Sequence, residues 1–279
     1  CAGHTLDLSR PAIMGVINTT PDSFSDGGSL YQSQRLDIDL AMARARSMVE
    51  EGALVLDIGG ESTRPGAVAV SSAEEMDRVL PLVERIAAEL EVIISVDTSS
   101  AGLMREAAAL GAGLINDVRA LRREGALAAA ADTGLPVCLM HMQGEPGSMQ
   151  QAPAYEDVVV EVESFLKARL ADCEKAGIPR QRIVVDPGFG FGKSVQHNLQ
   201  LLQALPRLAQ LQVPVLVGLS RKSLIGKLLG REVDKRLPAS LGLAVLAVER
   251  GATIIRTHDV RATADAVAMC TALRGASKT

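Results

Sequence analysis

The sequence has very few aromatic residues and no tryptophan. Of its 279 residues, only four are Phe and two are Tyr. Single-stranded nucleic acids are bound through aromatic side chains that stack on the bases, so this scarcity disfavours that class of function. The chain also lacks a cluster of Lys and Arg, and its 29 basic and 33 acidic residues give a formal net charge of −4. Because sequence-independent affinity for nucleic acids comes from clustered basic side chains, we expect no nucleic-acid partner.

Cysteines are few and widely spaced. Cys1, Cys138, Cys173 and Cys270 form no C-x-x-C pair, which disfavours both a structural zinc site and a disulfide framework. Cys138 lies in an apolar run and is predicted to be a buried core residue. The sequence has no apolar run of roughly 18 residues and no basic N-terminal segment followed by an apolar one, so neither a membrane span nor a secretory signal is predicted. We therefore expect a cytoplasmic protein with no membrane partner.

The sequence is organised by short apolar runs that alternate with longer segments of helical period. The runs are nearly continuous in apolar character, which is typical of strands buried on both faces of a parallel sheet. The eight runs are 12–17, 53–58, 92–96, 113–116, 136–140, 182–185, 214–219 and 253–256. The segments between them are rich in Ala, Leu, Glu and Arg, and five of them end at a Gly or directly before one, which favours a left-handed helix end. These segments are 36–51, 72–91, 101–110, 124–133, 155–177, 196–208, 239–250 and 261–273.

Eight strand-plus-helix units predict an α/β fold of the (β/α)8 TIM-barrel type, whose usual size is roughly 250 residues. A doubly wound open sheet is the alternative. That fold more often has fewer strands, and no G-x-G-x-x-G turn follows the first apolar run. No linker or low-complexity segment divides the sequence, so we expect a single domain covering residues 1–279.

A polar side chain follows each of the eight apolar runs. The active site of a parallel barrel lies at the C-terminal ends of its strands, so these residues are predicted to share one rim. A single Asp in such a position is more often a helix cap than a catalytic group, but eight polar strand ends together indicate a functional rim. The residues are Asn18, Asp57, Glu61, Asp97, Asn116, Asp117, His141, Asp186, Ser220, Arg221, Lys222, Arg256 and His258.

Basic residues on this rim predict an anion site. Arg256 and His258 come just before the last helical segment, whose free backbone N–H groups and dipole favour negative charge. The segment 220–223 is a second basic helix start. Phosphate sites in this fold often use the loops after the last two strands. The pattern therefore indicates an anionic substrate, or two of them.

Acidic and amide side chains are predicted to lie deeper in the barrel. Asp97, Asn116 and Asp186 would suit a heterocycle that presents several N–H and C=O groups. Three loops rich in Gly, Ser, Thr or Pro belong to the same rim and are predicted to carry function. These loops are 18–28, 59–66 and 187–193.

Eight motifs along the chain resemble those of the bacterial dihydropteroate synthase family. They occur in family order across nearly the whole chain, and their combination is highly specific. The motifs are GVINTTPDSFSDGG (15–28), DIGGESTRPGA (57–67), ISVDTS (94–99), INDVRAL (115–121), CLMHMQG (138–144), VDPGFGFGK (185–193), VGLSRKS (217–223) and IIRTHDV (254–260).

The resemblance implies a pterin-binding TIM barrel that acts in folate biosynthesis. The implied reaction joins p-aminobenzoate to (7,8-dihydropterin-6-yl)methyl diphosphate and releases diphosphate. The implied pterin ligands are Asp97, Asn116, Asp186, Lys222 and Arg256, of which Asp97, Lys222 and Arg256 are implied to be catalytic. The implied diphosphate ligands are Asn18, Thr63, Arg64, Arg256 and His258, with Mg2+ on Asn18. The residues implied to border p-aminobenzoate are Thr63, Pro65, Phe191, Lys222 and Ser223.

The hypothesis for the mechanism is a substitution led by departure of the leaving group. Diphosphate leaves first, and Asp97 stabilises the resulting pterin methylene cation until the weakly basic aniline attacks. The resemblance further implies a homodimer formed through the Ala-rich helices late in the barrel, and inhibition by sulfonamides as mimics of p-aminobenzoate.

Three other functions compete with this interpretation. A pterin-binding methyltransferase module shares the barrel and the carboxylates, but it needs neither the diphosphate cluster nor the 18–28 loop with Arg64. A non-catalytic pterin-binding protein would not require the full set of polar rim residues. A barrel enzyme acting on another phosphorylated substrate is disfavoured by the continuous run of motifs.

Overall fold

The strands of the chain form the sheet that the sequence predicts. A computed structural model describes residues 3, 5–20, 31–32, 35–62, 70–145, 147, 149–150 and 152–276. The strands in this part are β1 (Ala12–Asn18), β2 (Tyr31–Gln32), β3 (Arg35–Leu36), β4 (Val55–Gly59), β5 (Ile93–Asp97), β6 (Leu114–Asp117), β7 (Val137–Met140), β8 (Ile183–Asp186), β9 (Leu216–Val217) and β10 (Ile254–Thr257). Eight of them pair in parallel in the order β8-β7-β6-β5-β4-β1-β10-β9, while β2 and β3 form a separate antiparallel hairpin.

The sheet closes into a barrel through its two edge strands. Val185 in β8 forms a parallel bridge to Val215, just before β9, and the Val185 N–H donates a hydrogen bond to the Pro214 carbonyl at 3.0 Å. The prediction of a (β/α)8 TIM barrel is therefore confirmed. The predicted strand 214–219 is shorter than expected, because only Leu216–Val217 pairs with β10.

The helices surround the barrel close to the predicted positions. They are α1 (Ile38–Glu50), α2 (Ser72–Glu89), α3 (Ala101–Ala109), α4 (Ala126–Thr133), α5 (Val158–Lys175), α6 (Val195–Gln203), α7 (Leu205–Ala209), α8 (Ser223–Leu229), α9 (Leu237–Glu249) and α10 (Val260–Ala276). The segment predicted as one helix over 196–208 is divided into α6 and α7, with a proline in the first turn of α7. Proline has no N–H and suits the start of a helix rather than its interior. No helix in the described part of the chain combines the length and apolar character needed to cross a membrane.

The interior of the barrel is closed by an apolar layer near the N-terminal ends of the strands. Each of the eight barrel strands contributes at least one buried side chain, and Leu6 and Leu8 pack beneath them. Cys138 belongs to this layer and is fully buried, which confirms its prediction as a core residue. The layer consists of Ala12, Met14, Val55, Ile93, Leu114, Cys138, Val184, Leu216 and Ile254.

Candidate active site

A polar layer lies directly above the apolar layer. Side chains on a strand alternate between the two faces, so residues two positions apart point the same way. Two positions after Val55 comes Asp57, and two positions after Ile254 comes Arg256. The same step gives Ser95 and then Asp97 on β5, Asn116 on β6 and Asp186 on β8. On these strands, therefore, one inward-facing residue is apolar and the next inward-facing residue is polar.

Arg256 lies at the centre of this layer and binds two carboxylates. Its Nε donates to Asp57 Oδ2 at 2.6 Å, and its Nη2 donates to Asp97 Oδ2 at 3.0 Å. Asp57 is fully buried and also accepts hydrogen bonds from Ser95 Oγ at 2.5 Å and from Asn116 Nδ2 at 3.2 Å. Asp57 therefore fixes the positions of Arg256 and Asn116. The sequence predicted its place on the rim but gave it no role.

Burial makes two carboxyl groups of this layer, those of Asp97 and Asp186, hard to ionise. Burial, reinforced by the charge of Asp57, raises the pKa of Asp97 far above its usual value, although Arg256 opposes the shift. Burial also raises the pKa of Asp186, against the stabilising hydrogen bond from the Gly188 N–H at 2.7 Å. Asp57 and Asp97 in turn raise the pKa of Arg256 despite its burial. Such groups interact favourably with a ligand that brings N–H donors or positive charge.

Lys222 follows β9 and lies next to an aromatic ring. Its Nζ is 4.3 Å from the centre of the Phe191 ring. Burial and the nearby charge of Arg256 lower the pKa of Lys222 to about 8, while Asp186 and Asp97 oppose the shift. Lys222 is the residue immediately before α8, and its backbone is extended. The ammonium group is thus held where it can donate to a ligand above the polar layer.

A second buried lysine lies behind this group. Lys193 Nζ is 2.9 Å from His141 Nδ1, 3.3 Å from the His141 carbonyl oxygen and 2.9 Å from the Phe191 carbonyl oxygen. Burial lowers the pKa of Lys193 to about 7. Burial together with the charge of Lys193 lowers the pKa of His141 to about 3, so the ring is neutral. The sequence placed His141 on the rim without assigning it a role, and it gave Lys193 no place among the site residues.

An open cleft of about 440 Å³ lies over the polar layer. Next to Arg256 at its edge are Ser220 and His258, where the His258 N–H donates to Ser220 Oγ at 3.2 Å. Arg221 also lines the cleft, and its two hydrogen bonds to Asp259 join the loops after β9 and β10. The predicted site residues that line the cleft are Asn18, Asp97, Phe191, Lys222, Ser223, Arg256 and His258.

The remaining predicted residues fall into two groups. Asn116 and Asp186 lie below the cleft, where Asn116 contacts Asp57 and the charge of Asp186 acts on Lys222 and Arg256. Thr63, Arg64 and Pro65 lie outside the described residues, as do residues 21–28 of the first loop and 63–66 of the second.

Glu61 is one of the polar residues predicted to lie on the rim. In the structure its carboxylate is 3.1 Å from Arg119 Nη1. Arg119 belongs to the INDVRAL motif and also contacts Glu145, at 3.3 Å. It therefore joins the segment after β4 to the segment after β7. The sequence gave Arg119 no role, because a contact between residues 58 positions apart leaves no local signal.

Comparison with known proteins gives close matches. The family model described as "Pterin binding enzyme" matches residues 14–258. Dihydropteroate synthase of Escherichia coli K12 is 52% identical over 265 residues, which cover 95% of this chain and 92% of that protein. The structure of Yersinia pestis dihydropteroate synthase with a sulfonamide drug complex has a TM-score of 0.94 at 50% identity, covering 98% of each chain. The structure of the Xanthomonas albilineans enzyme with 4-aminobenzoic acid has a TM-score of 0.91 at 52% identity, covering 98% of this chain and 97% of that one.

Proposed function

The chain belongs to the pterin-binding enzymes and, among them, to the bacterial dihydropteroate synthases, and on that premise we propose how its own residues catalyse the transfer. The proposed reaction joins the amine of p-aminobenzoate to the methylene carbon of (7,8-dihydropterin-6-yl)methyl diphosphate. Diphosphate is released and dihydropteroate is formed. The observation that carries the proposal is the buried polar layer around Arg256, in which carboxylates and cations face one cleft.

The polar layer offers the groups that a pterin ring requires. Asp186 accepts one hydrogen bond from the protein and keeps lone pairs for the 2-amino group and a ring N–H of the pterin. Lys222 can donate to the pterin carbonyl, and Asn116 offers a carboxamide close by. The planar guanidinium of Arg256, held by Asp57 and Asp97, can stack against the ring. This set recognises the heterocycle by hydrogen bonding rather than by aromatic packing.

The diphosphate is proposed to bind at the edge of the cleft, near Asn18, His258 and Arg256. The family implies Mg2+ at this place, and the hard oxygen donor of the Asn18 carboxamide fits such an ion. In the described part of the chain, no group of three or more His, Cys, Asp or Glu residues could hold a metal. Mg2+ is commonly held by one or two protein ligands together with phosphate oxygens and water. When bound, the ion neutralises charge on the diphosphate. Thr63 and Arg64 are proposed to complete this subsite.

The p-aminobenzoate ring is proposed to bind beside Phe191, Lys222 and Ser223, which line one side of the cleft. An apolar cluster supports this side, since Phe191 packs against buried Met140 and Met149. The Lys222 ammonium over the Phe191 ring gives the wall positive charge, which suits a benzoate. Thr63 and Pro65 are proposed to border the same ring. Sulfonamides that resemble p-aminobenzoate are proposed to compete for this place.

The chemistry is proposed to begin with departure of the diphosphate. The bond between the methylene carbon and the bridging oxygen breaks, and its electron pair leaves with the diphosphate. The positive charge left on the carbon spreads into the dihydropterin ring. Asp97 lies beside this ring, where its carboxylate stabilises the cation electrostatically. The aniline nitrogen then bonds to the carbon and loses its proton to solvent, a step that needs no strong base.

Two further properties are proposed for the whole protein. Exposed apolar side chains on α9 and α10, namely Leu246, Met269 and Leu273, support a homodimer formed through these helices. The cytoplasmic location expected from the sequence stays a prediction. It is supported by the free, buried thiols of Cys138, Cys173 and Cys270.

The direct test of the reaction is substrate dependence. Purified protein is incubated with p-aminobenzoate, the pterin diphosphate and Mg2+, and each component is omitted in turn. We expect p-aminobenzoate to be consumed only in the complete mixture, with one diphosphate released for each dihydropteroate formed. Diphosphate release without dihydropteroate formation in the complete mixture, or no turnover at all, would contradict the proposal.

A further inference from the structure

The glycine-rich segment 187–193 packs directly on the backbone that follows β7. Gly188 and Gly192 have left-handed φ values of +69° and +60°. A Cβ at Gly188 would collide with the carbonyl oxygen of His141, and one at Gly192 would meet the carbonyl oxygen of Gln143. The absence of side chains at these positions lets the two backbones touch. Phe191, between them, is thereby directed to the cleft.

Lys193 ends this segment, and its ammonium is buried between the two backbones. Only 2% of the residue is exposed. An ammonium has three protons and no lone pair, and three acceptors lie around Nζ: His141 Nδ1, the His141 carbonyl and the Phe191 carbonyl. The neutral His141 ring leaves the Nδ1 lone pair available. The three acceptors therefore match the three protons of an ammonium in number and kind.

The contact with the Phe191 carbonyl distinguishes Lys193 from the other side chains that hold this segment. Tyr155 donates to the Gly192 carbonyl at 2.8 Å, and Asn198 accepts from the Gly190 N–H at 2.7 Å. Lys193 bonds the backbone of Phe191 itself and joins it to the end of β7 through His141. Burial of a charged group is costly unless hydrogen bonds compensate it. A buried lysine that only filled space would be replaced at lower cost by an apolar residue.

We propose that Lys193 is a positioning residue for p-aminobenzoate, which it orients through the backbone of Phe191. Lys193 does not line the cleft, whereas Phe191 does. Loss of the hydrogen bonds from Lys193 would let the Phe191 ring shift relative to Lys222 Nζ, which is 4.3 Å from the ring centre. The wall of the p-aminobenzoate subsite would then be less well ordered. This inference rests on the proposed function, because it assigns a residue to one substrate of that reaction.

The test compares KM with kcat in Lys193→Met, which keeps the length of the side chain and removes its ammonium. We expect KM for p-aminobenzoate to rise about tenfold, which corresponds to about 1.4 kcal/mol of lost binding free energy. We expect kcat and the dissociation constant of the pterin diphosphate to change by less than about threefold, about 0.7 kcal/mol. Lys193→Gln, which keeps a neutral donor, should fall between the wild type and Lys193→Met. The control is Lys167→Met on the exposed face of α5, which should match the wild type.

A double-mutant comparison separates positioning from general destabilisation. If Lys193 acts through Phe191, Lys193→Met should raise KM for p-aminobenzoate by less than about twofold in a Phe191→Ala background. An equal rise in both backgrounds would overturn the inference, as would a parallel loss of pterin affinity or an unchanged KM. If Lys193→Met does not fold, Lys193→Gln serves in the same comparison. If the wild type shows no turnover, the proposed function is wrong. If the wild type turns over and KM for p-aminobenzoate is unchanged in the Lys193 variants, only the inference about Lys193 is wrong.

Discussion

At the scale of single residues, the site contains acidic and basic side chains that are buried close to one another. Asp57 and Asp97 both bind the guanidinium of Arg256, and Lys222 lines the same cleft as Asp97 and Arg256. Burying the carboxylates without the cations, or the cations without the carboxylates, would be costly. In the proposed reaction, this layer binds the hydrogen-bonding edge of the pterin and stabilises the positive charge that develops on its methylene carbon.

These charges predict a bell-shaped pH dependence of kcat/KM for the pterin diphosphate. Burial raises the pKa of Asp97 from its usual value of about 4 to about 8, so the two limbs of the profile lie close together and the maximum near pH 8 is narrow. Activity should therefore increase as the pH rises and Asp97 ionises. The pKa of Lys222 is lowered to about 8, so activity should decrease above that pH as the ammonium loses its proton.

The descending limb can be assigned by substitution. In Lys222→Arg the side chain stays charged at all accessible pH values, so the decrease above about pH 8 should vanish while the ascending limb remains. Steady-state rates over a series of buffers at constant ionic strength would measure this. A decrease that persists in Lys222→Arg would contradict the assignment, and so would a flat wild-type profile.

At the scale of elements, the strands were predictable because the barrel buries both of their faces. Apolar runs such as 92–96 and 182–185 match β5 and β8 to within one residue at either end. The β2–β3 hairpin was not predicted, since two-residue strands leave no periodic signal. The break between α6 and α7 was missed because Pro206 sits in a segment whose apolar spacing continues.

The polar residues at the strand ends were predictable because each follows an apolar run, but their hydrogen-bond partners were not. The rim position of Asp57 follows from the strand that precedes it. Its contacts with Asn116 and Arg256 join residues 59 and 199 positions away. The burial of Lys193 was equally hidden, because a lysine after a glycine-rich loop is ordinarily exposed. Hydrogen bonds between distant strands depend on the closed barrel, which local patterns do not encode.

The packing of segment 187–193 on the end of β7 predicts a strong effect of Gly188→Ala. The left-handed backbone alone costs a non-glycine residue about 1–3 kcal/mol, and the added Cβ would also collide with the His141 carbonyl. Thermal unfolding should therefore show a Tm several degrees below that of the wild type. The control is Gly242→Ala in α9, where a Cβ meets nothing within 4 Å and helix propensity favours Ala by about 0.5–1 kcal/mol. A Gly188→Ala variant as stable as Gly242→Ala would refute this packing argument.

At the scale of the whole molecule, the barrel separates stability from chemistry along its axis. Its lower layer is apolar and includes side chains from all eight barrel strands. The polar side chains come two residues further along β4, β6, β8 and β10, and two and four residues further along β5. The shortage of aromatic residues thus has a structural counterpart. In the proposed function, the pterin ring is recognised by carboxylates, a carboxamide and two cations, and Phe191 is the one Phe, Tyr or Trp residue among those that line the described cleft.

The proposed dimer predicts that charge on the α9–α10 face produces monomers. Met269 is 73% exposed and Leu246 is 43% exposed, so the double variant Leu246→Glu, Met269→Glu should halve the mass measured by sedimentation or light scattering. The site lies at the strand ends, so kcat should stay within about twofold, since distant substitutions act independently. Val160→Glu on α5, where Val160 is 44% exposed, is the matched control and should leave the mass unchanged. An unchanged mass in the double variant, or a monomeric wild type, would refute the α9–α10 interface.

The central claim is that the polar layer stabilises a methylene cation after diphosphate departs. The most direct measurement is the single-turnover rate of diphosphate release in Asp97→Asn, together with the dissociation constant of the pterin diphosphate. Removing a preorganised charge of this kind costs roughly 100-fold or more in rate. We therefore predict a decrease of that size, with pterin affinity weakened by less than about tenfold. A single-turnover rate equal to that of the wild type would contradict the account.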